Sequence, residues 1–111
     1  MEVNMECKMI FNVNKILVAD CFVEDYIKFS YELNECLLRK YGLYYAGLQL
    51  YQYDYNKFTV VAGYFDICGL YEIMPQIENY IEKQYNETFD GFIKREKILD
   101  FRKSKRIFCG H

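Results

Sequence analysis

The chain is poor in several residue types, and each shortage argues against a class of protein. Among 111 residues it has no Trp, one Pro and one His, and its apolar runs are short. A membrane-spanning helix needs roughly 18–20 consecutive apolar residues, which this sequence does not offer. A signal peptide begins with a basic segment followed by an apolar one, whereas residues 1–6 are acidic. We therefore expect a cytoplasmic protein that does not interact with membranes.

Catalytic and metal-binding motifs are also missing. The single histidine, His111, is the last residue, so a Cys–His or Ser–His pair would depend on a frayed end. The five cysteines are widely spaced without a C-x-x-C pair, so we expect reduced, mostly buried thiols and no metal or other cofactor. Asp20, Asp25 and Asp66 offer carboxylates, but most carboxylates are solvated surface groups. The sequence therefore predicts a protein that is not an enzyme.

The composition is that of one folded domain with an uneven charge distribution. Hydrophobic residues make up 52% of the chain and charged residues 27%, which is enough apolar material for a core. The formal net charge is -2, but residues 1–91 hold seven Lys/Arg against fourteen Asp/Glu, and residues 92–111 hold seven against two. We expect a single α+β domain over residues 1–99 and a basic C-terminal tail over residues 100–111.

Apolar periodicity predicts four strands and two helices. Strand patterns cover residues 7–14, 44–53, 58–67 and 92–99. The first helix is predicted between Asp20, as its N-cap, and Gly42, in the left-handed conformation that often follows a helix. The second follows residues 68–69 with Pro75 in its first turn, where proline is tolerated. The order βαββαβ is that of a ferredoxin-like sandwich, an antiparallel sheet with two helices on one face. A sheet with an irregular first or last strand is the alternative.

The hairpin over residues 44–67 predicts a tyrosine-rich surface. A turn of two or four residues places Tyr53 opposite Phe58, and strict alternation then separates two faces. One face is aliphatic and suits the helices, whereas the other is left open. Tyrosines that only stabilise cross-strand pairs are the alternative to a binding surface. The residues predicted to bind a partner on the open side are Tyr45, Gln49, Tyr51, Tyr53, Phe58 and Tyr64.

The basic tail offers a second docking surface. Its cations alternate with Phe101, Ile107 and Phe108, and clustered positive charge attracts an acidic partner. The tail could instead be a solvated end, or it could fold back on acidic helix residues such as Glu78. The cations predicted to bind are Arg102, Lys103, Lys105 and Arg106.

These surfaces predict a small non-catalytic protein-interaction module with a protein partner. A homodimer formed through the tyrosine-rich face is one form that binding could take. Nucleic acid is a poor fit, because residues 60–66 lack the basic residue of RNA-recognition modules. The composition resembles coding from an AT-rich genome, because Asn, Lys, Ile, Tyr and Phe are abundant. The interaction module could therefore be a phage, viral or mobile-element inhibitor of host machinery. The alternative is a small-molecule-sensing domain with its ligand between sheet and helices or at a dimer interface.

Overall fold

A computed structural model describes residues 8–110 and has the predicted order of elements. All strand pairs are antiparallel, and the sheet order is β2-β3-β1-β4. This is the predicted ferredoxin-like α+β fold, and the alternative with an irregular first or last strand is wrong. The elements are β1 Met9–Val18, α1 Val23–Tyr41, β2 Tyr45–Asp54, β3 Lys57–Phe65, α2 Leu70–Phe89 and β4 Ile93–Leu99.

Side chains alternate along each strand, so the apolar ones gather on one face of the sheet. The helices cover that face. On β1 the buried apolar side chains Ile10, Ile16 and Val18 face the helices. The continued alternation at Ile16 and Val18 extends β1 beyond its predicted end at residue 14, and predicted strand residue 7 lies outside the described residues. Both helices present apolar stripes at spacings of three and four residues. Their buried apolar residues are Val23, Tyr26, Phe29, Leu33, Leu37, Leu70, Met74, Ile77, Tyr85 and Phe89.

Three local helix predictions are wrong in detail. Asp20 is not an N-cap, because a 3-10 turn at Asp20–Phe22 precedes α1. Gly42 follows α1 with a φ of -61°, which is right-handed, and a Cβ there would clash with the Leu38 carbonyl oxygen. A glycine is therefore required there by close packing and not by a left-handed turn. Pro75 lies in the second turn of α2, on the exposed side of the helix.

Candidate functional site

No helix within residues 8–110 covers the sheet face that points away from α1 and α2, and this face carries many apolar side chains. Phe11 on β1 lies beside Gly63 on β3 in this face, and a Cβ on Gly63 would approach the Phe11 ring to 3.3 Å. The absence of a side chain at Gly63 therefore lets the ring lie over the β3 backbone. We call this surface the open face. Its apolar and aromatic side chains are Phe11, Val13, Leu17, Tyr51, Tyr53, Val61, Phe65 and Leu99.

A β-bulge in β2 changes the predicted hairpin register. Asp54 pairs with Lys57 around a two-residue turn, which agrees with the predicted turn length. The next pair, however, is Gln52 with Phe58, so Tyr53 is an extra residue on β2. A one-residue slip moves every side chain of a strand to the other face. The predicted facing of β3 is therefore wrong, because alternation in a sequence does not reveal a bulge.

Three of the predicted surface aromatics lie in the core as a result. Tyr45, Phe58 and Tyr64 are almost fully buried on the helix side. Phe58 and Tyr64 point inward because of the Tyr53 bulge. Tyr45 points inward because β2 has a second irregularity between Tyr45 and Gly47, where Gly47 adopts a φ of 121°. Their predicted position on the open face is therefore wrong.

The buried tyrosines are neutral core residues with defined partners. The Tyr45 hydroxyl donates to Asn34 Oδ1 at 2.8 Å. The Tyr45 and Tyr64 rings pack edge to face with centroids 5.6 Å apart. Burial raises the pKa of both phenols, because the phenolate would lose its hydration. These side chains therefore stabilise the fold and are not available to a docked protein.

Gln49, Tyr51 and Tyr53 lie on the open face as predicted. Tyr51 is 54% exposed and Tyr53 56% exposed. The Tyr51 hydroxyl donates to Gln49 Oε1 at 2.8 Å, which orients the ring along β2. These residues form the β2 side of the candidate site.

The central part of the open face comes from residues that were not predicted at the site. Phe11 and Leu17 are each 40% exposed on β1, and Phe65 on β3 is 36% exposed. The alternation of Met9, Phe11 and Val13 marks one face of β1 in the sequence, but it does not say which face the helices cover. That choice depends on Ile10, Ile16 and Val18 joining the same core cluster as buried residues of both helices.

Charge divides between the two layers of the fold. The helices carry eight Asp/Glu and four Lys/Arg, whereas the strands carry two and five. Lys15, Lys57 and Lys94 line a shallow depression together with Leu17 and Tyr53. Positive charge therefore lies beside the aromatic residues of the open face, and the acidic groups lie mainly on the helices.

The first residues of the tail pack into the domain. Phe101 is buried, and its backbone N–H donates to Asn12 Oδ1 at 3.0 Å. The Phe101 ring lies between Tyr64 and Tyr71, with centroid distances of 5.5 and 5.4 Å. The core therefore continues past residue 99, where the predicted domain ends.

Arg102 is held by the domain and is not a free docking cation. Its Nη2 lies 3.3 Å from Asp100 Oδ2 and 3.6 Å from Glu78 Oε1. The sequence left open whether the tail folds back on Glu78, and Arg102 does so. Hydrogen bonds and the positive charge of Arg102 lower the pKa of Asp100, although burial alone would raise it.

The other predicted cations of the tail are exposed. Lys103 lies in a turn, and Lys105 lies in a segment without regular secondary structure. Arg106 is exposed as well, and its Nη2 donates to the Met9 carbonyl oxygen at 2.6 Å. This contact brings part of the basic tail to the first residue of β1.

The cysteines differ from the prediction of reduced, mostly buried thiols. Cys21 and Cys68 are free and exposed, and Cys36 is free and half-buried. Cys109 is disulfide-bonded. Cys7, like residues 1–6 and His111, lies outside the described residues.

The three carboxylates considered for catalysis are all exposed and do not converge. Asp20 follows β1, whereas Asp66 follows β3 beside the start of β1, so the two lie at opposite ends of the sheet. Asp25 lies in the first turn of α1. In residues 8–110 there is also no group of three or more His, Cys, Asp or Glu side chains that could hold a metal ion.

Two spaces between the layers differ in size and polarity. An interior cavity of about 40 Å³ is lined by Asn14, Arg95 and other residues of both layers. Asn14 Oδ1 and Arg95 Nε are buried there without a hydrogen-bond partner among the described residues. A groove of about 350 Å³ runs between α1 and β2. It is lined by Ile27, Ser30, Tyr31, Asn34, Leu48, Leu50, Gln52 and Phe58, none of which is charged.

No protein family matches the chain, and no curated protein matches it. Across the described part of the chain, neither helix has the length and apolar character needed to cross a membrane. The geometry of the open face is therefore the basis for a functional proposal.

Proposed function

We propose that this protein is a small non-catalytic interaction module that binds a partner protein on the open face. The observation that carries the proposal is the exposure of Phe11, Leu17, Tyr51, Tyr53 and Phe65 on the same face of the sheet. Large apolar side chains exposed together on one face often mark an interaction site, because leaving them in water is unfavourable. Tyrosine and phenylalanine suit such a site, since large rings bury much area at little cost in rotamer freedom.

The charges around the open face favour an acidic partner. Lys15, Lys57 and Lys94 line a depression together with Tyr53 and Leu17, and the exposed Lys103 and Lys105 carry further positive charge on the tail. Such charges increase the association rate with a surface of opposite sign more than they increase affinity. The partner that fits is a protein with an apolar patch beside carboxylates.

One version of this function is inhibition of host machinery by a phage, viral or mobile-element protein. The support is compositional, since Tyr, Phe, Asn, Lys and Ile are abundant and Trp is absent. An acidic helix layer opposite a basic sheet face would let such a protein dock with a defined orientation.

The test of this function is affinity capture from the native host after nuclease treatment. The bait proteins are wild type, the double variant Tyr51→Ala/Tyr53→Ala, and Tyr55→Ala. Tyr55 is 60% exposed in the hairpin turn and serves as the matched control. We expect a defined protein to bind wild type and the control but not the double variant, and to bind more weakly at higher salt.

Three results would contradict the proposal. Equal capture by all three baits would show that the open face is not the binding surface. A protein captured from untreated lysate but not after nuclease treatment would indicate binding through nucleic acid. If no bait captures any protein, the proposed partner does not exist in that host.

A second candidate function is binding of a small molecule in the groove between α1 and β2. The groove volume of about 350 Å³ falls within the range of about 300–1,000 Å³ typical of ligand sites. The interior cavity of about 40 Å³ lies far below that range. A thermal-shift panel of metabolites and nucleotides tests the groove, and a shift that Tyr31→Ala removes would support it.

A further inference from the structure

The two edges of the sheet differ in how they are protected from pairing with another chain. The edge strand β4 carries four charged residues in succession, at positions 94–97, and charge discourages edge-to-edge association. The other edge strand, β2, has no charged residue from Tyr45 to Tyr53. The β2 edge therefore lacks the charged residues that discourage pairing at the β4 edge.

Backbone groups of β2 point toward this free edge. Leu48 N lies 3.1 Å from Asn34 Oδ1, so the Leu48 N–H points away from β3. Backbone groups alternate in direction along an antiparallel strand, so those of Leu50 and Gln52 also point outward. The register with β3 is regular over residues 47–52, and no strand of residues 8–110 pairs with this edge. The Leu48 N–H is already bonded to Asn34, so the groups that the segment offers to another antiparallel strand are the Leu48 carbonyl and the outward backbone groups of Leu50 and Gln52.

One flank of α1 next to this edge is uncharged. Ile27, Tyr31, Asn34 and Leu38 are separated by four, three and four residues, so they form one stripe along the helix. Tyr31 is 73% exposed, which is unusual for a large aromatic side chain. We call these four residues the α1 stripe. The groove described above separates this stripe from β2.

We propose that a second copy of this chain pairs with the β2 edge and forms a two-fold symmetric dimer. The two β2 strands run antiparallel about an axis near Leu50, which places Leu48 of each copy opposite Gln52 of the other. The two Leu50 residues then exchange both backbone hydrogen bonds, and each Gln52 N–H donates to a Leu48 carbonyl. Two four-stranded sheets become one sheet of eight strands.

The same axis brings the two α1 stripes together. α1 and β2 run antiparallel, and Asn34 lies beside Leu48, so Tyr31 is nearly level with Leu50. Paired strands are about 4.8 Å apart and packed helices about 8–10 Å apart, and both spacings can be met when each α1 lies over its own edge strands. Tyr31 of each copy then packs at the axis, where its apolar ring leaves water.

Self-complementarity favours a second copy over another occupant. The occupant must supply an uncharged strand and an apolar helix flank in fixed relation, and this chain supplies both. Neither β2 before Asp54 nor the α1 stripe carries a charge, so two copies meet without like-charge repulsion. Closed two-fold dimers are also the commonest assemblies of soluble proteins.

The dimer uses a different surface from the open face and does not depend on the proposed function. It would place two open faces side by side on one continuous sheet, which doubles the docking area without new contacts to a partner.

The test is sedimentation equilibrium of the full chain over about a hundredfold range of concentration, because dimer population follows mass action. Gln52→Pro removes an N–H that points to the free edge. It breaks no backbone hydrogen bond with β3. Tyr31→Glu places two like charges at the axis. The controls are Asn79→Glu, with the same charge change on an exposed residue of α2, and Tyr51→Lys on the open face.

We expect a wild-type dimer that either test variant weakens at least about tenfold, as loss of a central contact does, and that neither control alters. A wild type that stays monomeric overturns the proposal. So does a dimer that resists both test variants, or one that only Tyr51→Lys disrupts. Circular dichroism identifies any variant that fails to fold, and if Gln52→Pro does so, Tyr31→Glu decides the outcome.

Discussion

Asn12 Oδ1 lies 3.0 Å from the backbone nitrogen of Phe101 and accepts its hydrogen bond inside the core. The Asn12 amide group also donates to Glu78 Oε1 at 3.4 Å. One polar side chain of β1 therefore connects the segment after β4 with α2. The tail begins at a defined position because of this contact.

Replacing Asn12 with alanine should destabilise the fold. Asn12→Ala leaves the buried Phe101 N–H without an acceptor, and an unpaired buried group costs about 1–3 kcal/mol. Urea denaturation measures the loss. Asn14→Ala is the matched control, because Asn14 lies on the same strand face and its Oδ1 has no hydrogen-bond partner among the described residues. Equal losses in the two variants would contradict the role of Asn12.

The buried pair Tyr26 and Tyr85 should show non-additive mutational effects. Their hydroxyl oxygens are 2.8 Å apart and join α1 to α2. Tyr26→Phe leaves the Tyr85 hydroxyl unpaired, at a cost of about 1–3 kcal/mol, whereas Tyr26→Phe/Tyr85→Phe removes both groups and should recover part of that loss. A double-mutant cycle by urea denaturation measures the coupling. Strictly additive losses would argue against this hydrogen bond.

Stability should fall at alkaline pH. Burial raises the pKa of Tyr26, Tyr45, Tyr64 and Tyr85 above the ordinary tyrosine value of 10.0, because the phenolate is poorly solvated in the core. The folded state keeps these protons while the unfolded state releases them, so the stabilisation is complete below pH 10 and declines above it. The free energy of unfolding between pH 8 and about pH 11.5 tests this. Tyr64→Phe should lessen the decline, and an unchanged pH profile would count against it.

Stability should also fall at acidic pH through Asp100. Its pKa is lowered by Arg102, although burial opposes this, so the folded state holds the carboxylate ionised to lower pH than the unfolded state does. The stabilisation is present above the ordinary carboxyl range and is lost as pH falls through it. Asp100→Asn should therefore reduce stability at neutral pH and flatten the acid limb of the profile. A variant as acid-sensitive as wild type would refute this assignment.

Tyrosines of the same hairpin should differ sharply in mutational cost. Tyr64→Ala removes a buried ring and should cost about 3–5 kcal/mol. Tyr51→Ala and Tyr53→Ala affect exposed rings and should each cost less than about 1 kcal/mol. Thermal and urea unfolding of the three variants measure the contrast. If Tyr51→Ala were as destabilising as Tyr64→Ala, the register of the hairpin would have to be revised.

Much of the fold follows from local patterns in the chain. Four alternating segments and two helical stripes give the βαββαβ order, because each element buries its own apolar side. On β2, alternation also places Gln49, Tyr51 and Tyr53 on the side opposite Leu48 and Leu50, as observed. These features depend only on neighbours in the chain.

The composition of the candidate site depended on contacts between distant residues. The bulges at Tyr53 and beside Gly47 place Phe58, Tyr64 and Tyr45 in the core, in one cluster with buried residues of both helices. Phe11 and Phe65 lie on the open face, because the helices cover only the other face of β1 and β3.

The sequence alone predicted an α+β fold with an aromatic hairpin and a basic end. Tertiary structure decided which aromatic rings face water and that Arg102 pairs with Glu78. It also divided the charge into an acidic helix layer and a basic sheet. The physical reason is that residue types and periodicity fix which elements form, whereas strand register and packing between layers fix the side of the sheet on which each side chain lies.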